Sequence, residues 1–178
     1  MKTTQNKIKG LVVVMLLCFS LQLSWSQTYS SESSEASTTV NGQEFSQSQF
    51  ASFFDTTPNT RLEVIQSNSL VIEQVGSNNN VSAKVATRAS DINVYQNGLN
   101  NNIGLTYKVD AVVATLEQNG NENTILDYVI DPTAKVSLEL QQNGNNLTFD
   151  KFGTNNITKN IKFNQTEASP TIIIRSFN

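Results

Sequence analysis

Leu70-Val71-Ile72-Glu73-Gln74-Val75-Gly76-Ser77-Asn78-Asn79 is followed 22 residues later by Ile92-Asn93-Val94-Tyr95-Gln96-Asn97-Gly98-Leu99-Asn100-Asn101. A third copy runs Ala114-Thr115-Leu116-Glu117-Gln118-Asn119-Gly120-Asn121-Glu122-Asn123, and a fourth Leu138-Glu139-Leu140-Gln141-Gln142-Asn143-Gly144-Asn145-Asn146. A fifth keeps Ile161, Phe163 and Gln165 but has no Gly, and Pro170 stands where Asn is expected. The five glutamines are spaced by 22, 22, 24 and 23 residues. The shared core is Gln-x-Gly-x-x-Asn, with the Asn one residue early, at Asn146, in the fourth copy.

Each copy reads as strand, turn, strand. The positions four and two before each Gln are apolar in all five copies, and mostly polar residues separate them. Period-two alternation is the mark of a strand with one buried face. The Gln has the parity of the apolar pair and so shares that face. A second alternation follows the Asn: Val81, Ala83 and Val85, then Ile103, Leu105 and Tyr107. It falters in the third copy, where Ile125 is followed by Asp127, and in the fourth, where Lys151 follows Leu147 and Phe149. Gly between the strands accepts positive φ without steric cost, and Asn tolerates it better than most residues.

A unit of this size cannot bury its apolar face alone, but stacked units can. The expected fold is therefore all-β: a β-solenoid of about five rungs, like residue above like at about 4.8 Å per rung. Stacking also gives the glutamines a role. A buried amide must find partners, and in a stack Gln74, Gln96, Gln118, Gln142 and Gln165 can bond to one another as a ladder. Gly76, Gly98, Gly120 and Gly144, with Asn79, Asn101 and Asn123, would form the turns. Upstream, Leu62, Val64 and Gln66 look like half a unit. Glu73 and Glu117 share an outward column with Tyr95 between them, either as gatekeepers that slow stacking or as a solvated face. Thr171–Arg175 reads as the last core strand, or as an exposed edge that recruits another chain.

The ends of the chain bound the compartment. Lys2, Lys7 and Lys9 precede an apolar run from Leu11 to Phe19, and Ser24 and Ser26 flank Trp25 before Gln27. That is the pattern of a secretory signal peptide over 1–26, too short in its apolar part to span a bilayer. Cys18 follows Leu17, where lipidation needs a small residue, so it reads as part of the signal. Residues 27–59 are rich in Ser, Thr and Gln and read as a loose, low-complexity leader; 60–178 is the repeat region. The mature chain from Gln27 to Asn178 holds 9 Lys+Arg against 15 Asp+Glu, a net −6, with no His and no Cys. That balance disfavours nucleic acid and anionic membranes. No disulfide can staple it, so packing and hydrogen bonds must hold it. No nucleophile–base set, metal-ligand spacing or phosphate loop is present, and Asp110, Asp127, Asp131 and Asp150 are scattered. No catalytic residue, cofactor or metal site is assigned.

The Gln-x-Gly-x-x-Asn unit with its alternating apolar residues resembles the curlin repeat, over Asn68 to Asn178. Curlins are subunits of curli, the amyloid fibres of bacterial biofilm. The resemblance implies a secreted, extracellular fibre subunit, polymerising head to tail with itself or with a related curlin. It also implies periplasmic chaperones and a dedicated outer-membrane pore, the leader being the secretion segment. Curlin units usually carry a second Gln at the end of the second strand; here Val85, Tyr107 and Val129 stand there. A minor or nucleating subunit, and a soluble monomeric solenoid adhesin, are the alternative readings.

Overall fold

The structure is a computed structural model and describes residues 38–40 and 43–176; the signal segment lies outside the described residues. In chain order the elements are β1 (Thr38–Val40), β2 (Gln43–Phe45), a short helix α1 (Gln47–Ala51), a 3-10 turn (Thr60–Glu63), β3 (Asn68–Ser77), β4 (Asn80–Val81), β5 (Ala89–Leu99), β6 (Asn102–Ile103), β7 (Tyr107–Asn119), β8 (Thr124–Ile125), β9 (Val129–Asn143), β10 (Thr148–Asp150), β11 (Asn160–Thr166) and β12 (Thr171–Arg175). Together they make a β-solenoid of about five turns.

Each turn of the solenoid is one long strand followed by one short strand. The long strands form a sheet in the order β11-β9-β7-β5-β3, parallel throughout. The short ones stack as β12-β10-β8-β6-β4, also parallel. The register is the one the repeat demands. Leu70 lies beside Ile92, Ile92 beside Ala114, Ala114 beside Leu138, and Leu138 beside Ile161. The next inward column is Ile72, Val94, Leu116, Leu140 and Phe163. Ile103, Ile125 and Phe149 face them from the short strands, and from the second rung onward these side chains belong to one continuous core, while Leu70 and Ile72 of the first rung stay exposed.

The uneven spacing has a local cause. Two extra residues separate Gln118 from Gln142. The β7–β9 register jumps between Val109, opposite Asp131, and Ala111, opposite Lys135. The surplus is therefore a bulge within residues 132–134, three residues where the facing strand has one. Pro132 suits it because a bulged residue needs no ladder donor. Asp131 Oδ1 closes the bulge, accepting from Thr133 N at 3.0 Å and Thr133 Oγ1 at 2.8 Å.

One expectation needs correction at the start of the fold. Leu62, Val64 and Gln66 are not half a rung: the chain makes a 3-10 turn there, capped by Asn59. Leu62 instead packs on Ala111 and Val113, on the outer side of the long-strand sheet. Arg61 pairs with Asp91, and Glu63 with Lys135, on either side of that contact. The described part of the 27–59 segment holds two strands and a short helix. β1 pairs antiparallel with β12 and with β2. α1 begins at a capping box on Ser46 and Gln49 and buries Phe50. This segment carries most of the fold's phenylalanines outside the repeats, and they explain why it folds: they cover the last rung.

Candidate functional site

The glutamine column is continuous. Gln74 Nε2 donates to Gln96 Oε1 at 2.6 Å, Gln96 to Gln118 at 2.8 Å, Gln118 to Gln142 at 2.8 Å and Gln142 to Gln165 at 2.9 Å. Gln96, Gln118, Gln142 and Gln165 are buried. Their second N–H crosses the core to a main-chain carbonyl on the facing strand: Asn80, Asn102, Thr124 and Thr148 respectively. A carbonyl only accepts. The nitrogen must therefore face it, which sets the orientation of every amide in the column. The ladder is thus directional, and each Oε1 looks toward the preceding rung.

The turns form a second ladder. Asn79 Nδ2 donates to Gly98 O at 3.0 Å, Asn101 Nδ2 to Gly120 O at 2.8 Å and Asn123 Nδ2 to Gly144 O at 2.9 Å. In return, Asn79 Oδ1 accepts from Asn101 N, Asn101 Oδ1 from Asn123 N and Asn123 Oδ1 from Leu147 N. The last contact corrects the reading of Asn146 as a displaced ladder Asn. The fourth member of that column is Leu147. Asn146 has φ +57°, matching Asn78, Asn100 and Glu122, so it is the left-handed turn residue. The glycines are required twice over. All four have φ between +110° and +144°. In addition, a Cβ on Gly76, Gly98 or Gly120 would fall on the carbonyl of the next glycine in the column. Above Gly144 stands only the flexible side chain of Glu167. The missing glycine of the fifth unit is tolerated because no described rung lies beyond it.

Asp127 and Lys151, which break the apolar alternation, break it together. They sit in adjacent rungs of one inward column and pair at 3.0 Å, both almost wholly buried. Sequence reading treated them as separate faults; their 24-residue separation, equal to that of Gln118 and Gln142, was the available signal. Tyr107 is buried nearby. Burial first, and the Asp127 carboxylate second, push its hydroxyl well above the ordinary tyrosine range, so it stays neutral. On the outside, Glu73 lies beside Tyr95 and Tyr95 beside Glu117, as the column predicted. Arg88 hydrogen-bonds Asp110 from one rung to the next and holds its carboxyl below the usual range. Among the described residues, no group of three His, Cys, Asp or Glu is placed to hold a metal.

The two ends of the stack differ. At the first rung, β3 has a partner on one edge only among the described residues. Leu70, Val71, Ile72 and Val75 are each 44–55% exposed there. Gln74 Oε1 has no described rung before it to donate to it. At the last rung the position is reversed. β1 pairs with the Ile174–Arg175 end of β12, so that part of the strand is not an exposed edge, while Thr171 at its start is exposed. Its Ile174 is fully buried, as expected of a core strand. Phe54 packs on Phe163 with ring centroids 4.8 Å apart. The N–H that Gln165 would offer to a sixth rung is turned onto its own turn, at Ser169 O and Pro170 O. No protein-family description, no characterised protein and no solved structure matches this chain.

Proposed function

We propose that this chain is a secreted structural subunit of an extracellular, curli-like amyloid fibre, in which copies add end to end by stacking their rungs. The observation that supports this reading is the directional glutamine ladder that ends at an unpaired, apolar first rung. Such an edge is a template for pairing with another chain. Rungs added there would continue the glutamine ladder with the polarity it already has. Export rests on the signal pattern in 1–26. The assembly is heterologous, one end of each copy on the other end of the next, and so gives an open filament rather than a closed ring. The chain acts as scaffold, and no catalytic role is assigned to it.

A monomeric solenoid that binds through one face is the second reading, and the covered last rung is what favours it. The two are separated by incubating purified residues 27–178 at neutral pH under thioflavin fluorescence, then recording fibre diffraction. Self-assembly with reflections near about 4.7 and about 10 Å supports the subunit. A folded monomer that neither assembles nor extends seeds refutes it.

A further inference from the structure

The segment 38–59 covers the last rung with few of the bonds that a rung would supply. On the short-strand side it gives β1, three residues long and antiparallel in an otherwise parallel stack. On the long-strand side it supplies a single bridge at the outer edge of β11, where Asp55 N donates to Lys162 O and Lys162 N to Asp55 O. By contrast, β3 lies on β5 over ten residues in register. Side chains do the rest, chiefly Phe50 and Phe54. They fit imperfectly: a cleft of about 360 Å³ remains between Phe45, Phe53, Phe54, Phe163 and Ile172.

The first rung of the solenoid complements what lies beneath. Continuing the register by one rung sets Leu70 of another copy on Ile161, Ile72 on Phe163, Val81 on Ile172 and Ala83 on Ile174. It also sets Gln74 Oε1, which has no donor among the described residues, over Gln165 Nε2, whose spare hydrogen is held by Ser169 and Pro170. Apolar meets apolar, and acceptor meets donor with the polarity of the four bonds already in the ladder. A back-to-back pairing of two first rungs would instead oppose two acceptors.

We infer that residues 38–59 are a displaceable cap, and that the surface they cover on β11 and β12 is the docking site for the β3–β4 end of a second copy. This deepens the fibre reading and rests on it. A folded chain adds to a stack through its open end at once, but accepts the next chain only when its own cap leaves. The exchange trades a three-residue antiparallel strand and one bridge for a full parallel rung.

The test locks the cap. Thr39 and Arg175 are directly opposite in the antiparallel β1–β12 pair, where Cα atoms lie about 4.5–5.5 Å apart, within disulfide range. Residues 27–178 contain no Cys, so Thr39→Cys with Arg175→Cys creates a single bridge. The oxidised protein should form no fibres by itself and should halt the growth of parent seeds, adding once through its open end and accepting no further chain; the same protein should assemble once reduced. Equal assembly of the two forms overturns the cap while leaving the fibre reading intact. If neither the reduced form nor the parent assembles, both fall. Failure of the bridge to close in the folded protein also overturns the cap, since β1 would not lie on β12. A second variant, Ile72→Lys, alters only the open end. It should fold yet fail to extend seeds of the parent; extension at the parent's rate would overturn the assigned docking face.

Discussion

Replacing Gln118 by Leu probes the ladder where it is most enclosed. The substitution keeps the side chain apolar and buried, and contributes about 1.5–3 kcal/mol from the buried surface of Leu. Against this stand three lost bonds: from Gln96 Nε2, to Gln142 Oε1 and to Asn102 O. The loss is uneven. Gln96 keeps one hydrogen on Asn80 O, and a carbonyl such as that of Asn102 has a second lone pair. Gln142 Oε1 loses the donor that Gln118 supplied, in a position water cannot reach. Two unsatisfied buried groups at about 1–3 kcal/mol each outweigh the transfer gain, leaving a net loss of about 2 kcal/mol. Gln74→Leu is the control. Gln74 is exposed, makes one ladder bond, and water can replace it, so its effect should stay within about 0.5 kcal/mol. Equilibrium urea unfolding of monomeric residues 27–178 reads the difference. With a slope of about 2 kcal/mol/M, Gln118→Leu should lower the midpoint by about 1 M at unchanged slope. A Gln118→Leu protein as stable as Gln74→Leu, or more stable than the parent, would refute a stabilising ladder.

Two further predictions concern the turns and the buried pair. Gly98→Ala should prevent close stacking, because its Cβ would meet the rigid carbonyl of Gly120, whereas at Gly144 the neighbour is the movable Glu167 side chain at 2.9 Å; thermal unfolding by circular dichroism should show a much larger drop for Gly98→Ala, and equal drops would show that φ alone matters. Lys151→Met should cost about 3–5 kcal/mol by leaving the Asp127 carboxylate buried without its partner, while Asp127→Leu combined with Lys151→Met should return the stability to the parent's or above. A double variant as weak as the single one would mean that the pair is needed for its shape rather than its charge.

The repeat was legible in the chain because its period imposes itself on every rung. Alternation placed Ile92, Val94 and Gln96 on one face, and equal spacing placed them on Ala114, Leu116 and Gln118; no other register keeps both the apolar columns and the amides inside. The turns were legible for the same reason, Gly98 being the residue that both a positive φ and a neighbour's carbonyl demand. What escaped were contacts with no periodic signature. Asp127 and Lys151 look like separate interruptions until stacking brings them to 3.0 Å. Two surplus residues lengthen the third repeat unit, but only the ladder shows that they are pushed out as a bulge within 132–134. The 38–59 segment is polar enough in composition to read as a loose leader, yet its phenylalanines need apolar surface, and the stack leaves such surface uncovered at its ends. Repetition within the chain thus determined the rungs and their register. Which end stays open was decided only in three dimensions, because the cap's contacts are each made once, between distant parts of the chain, and leave no period in the sequence.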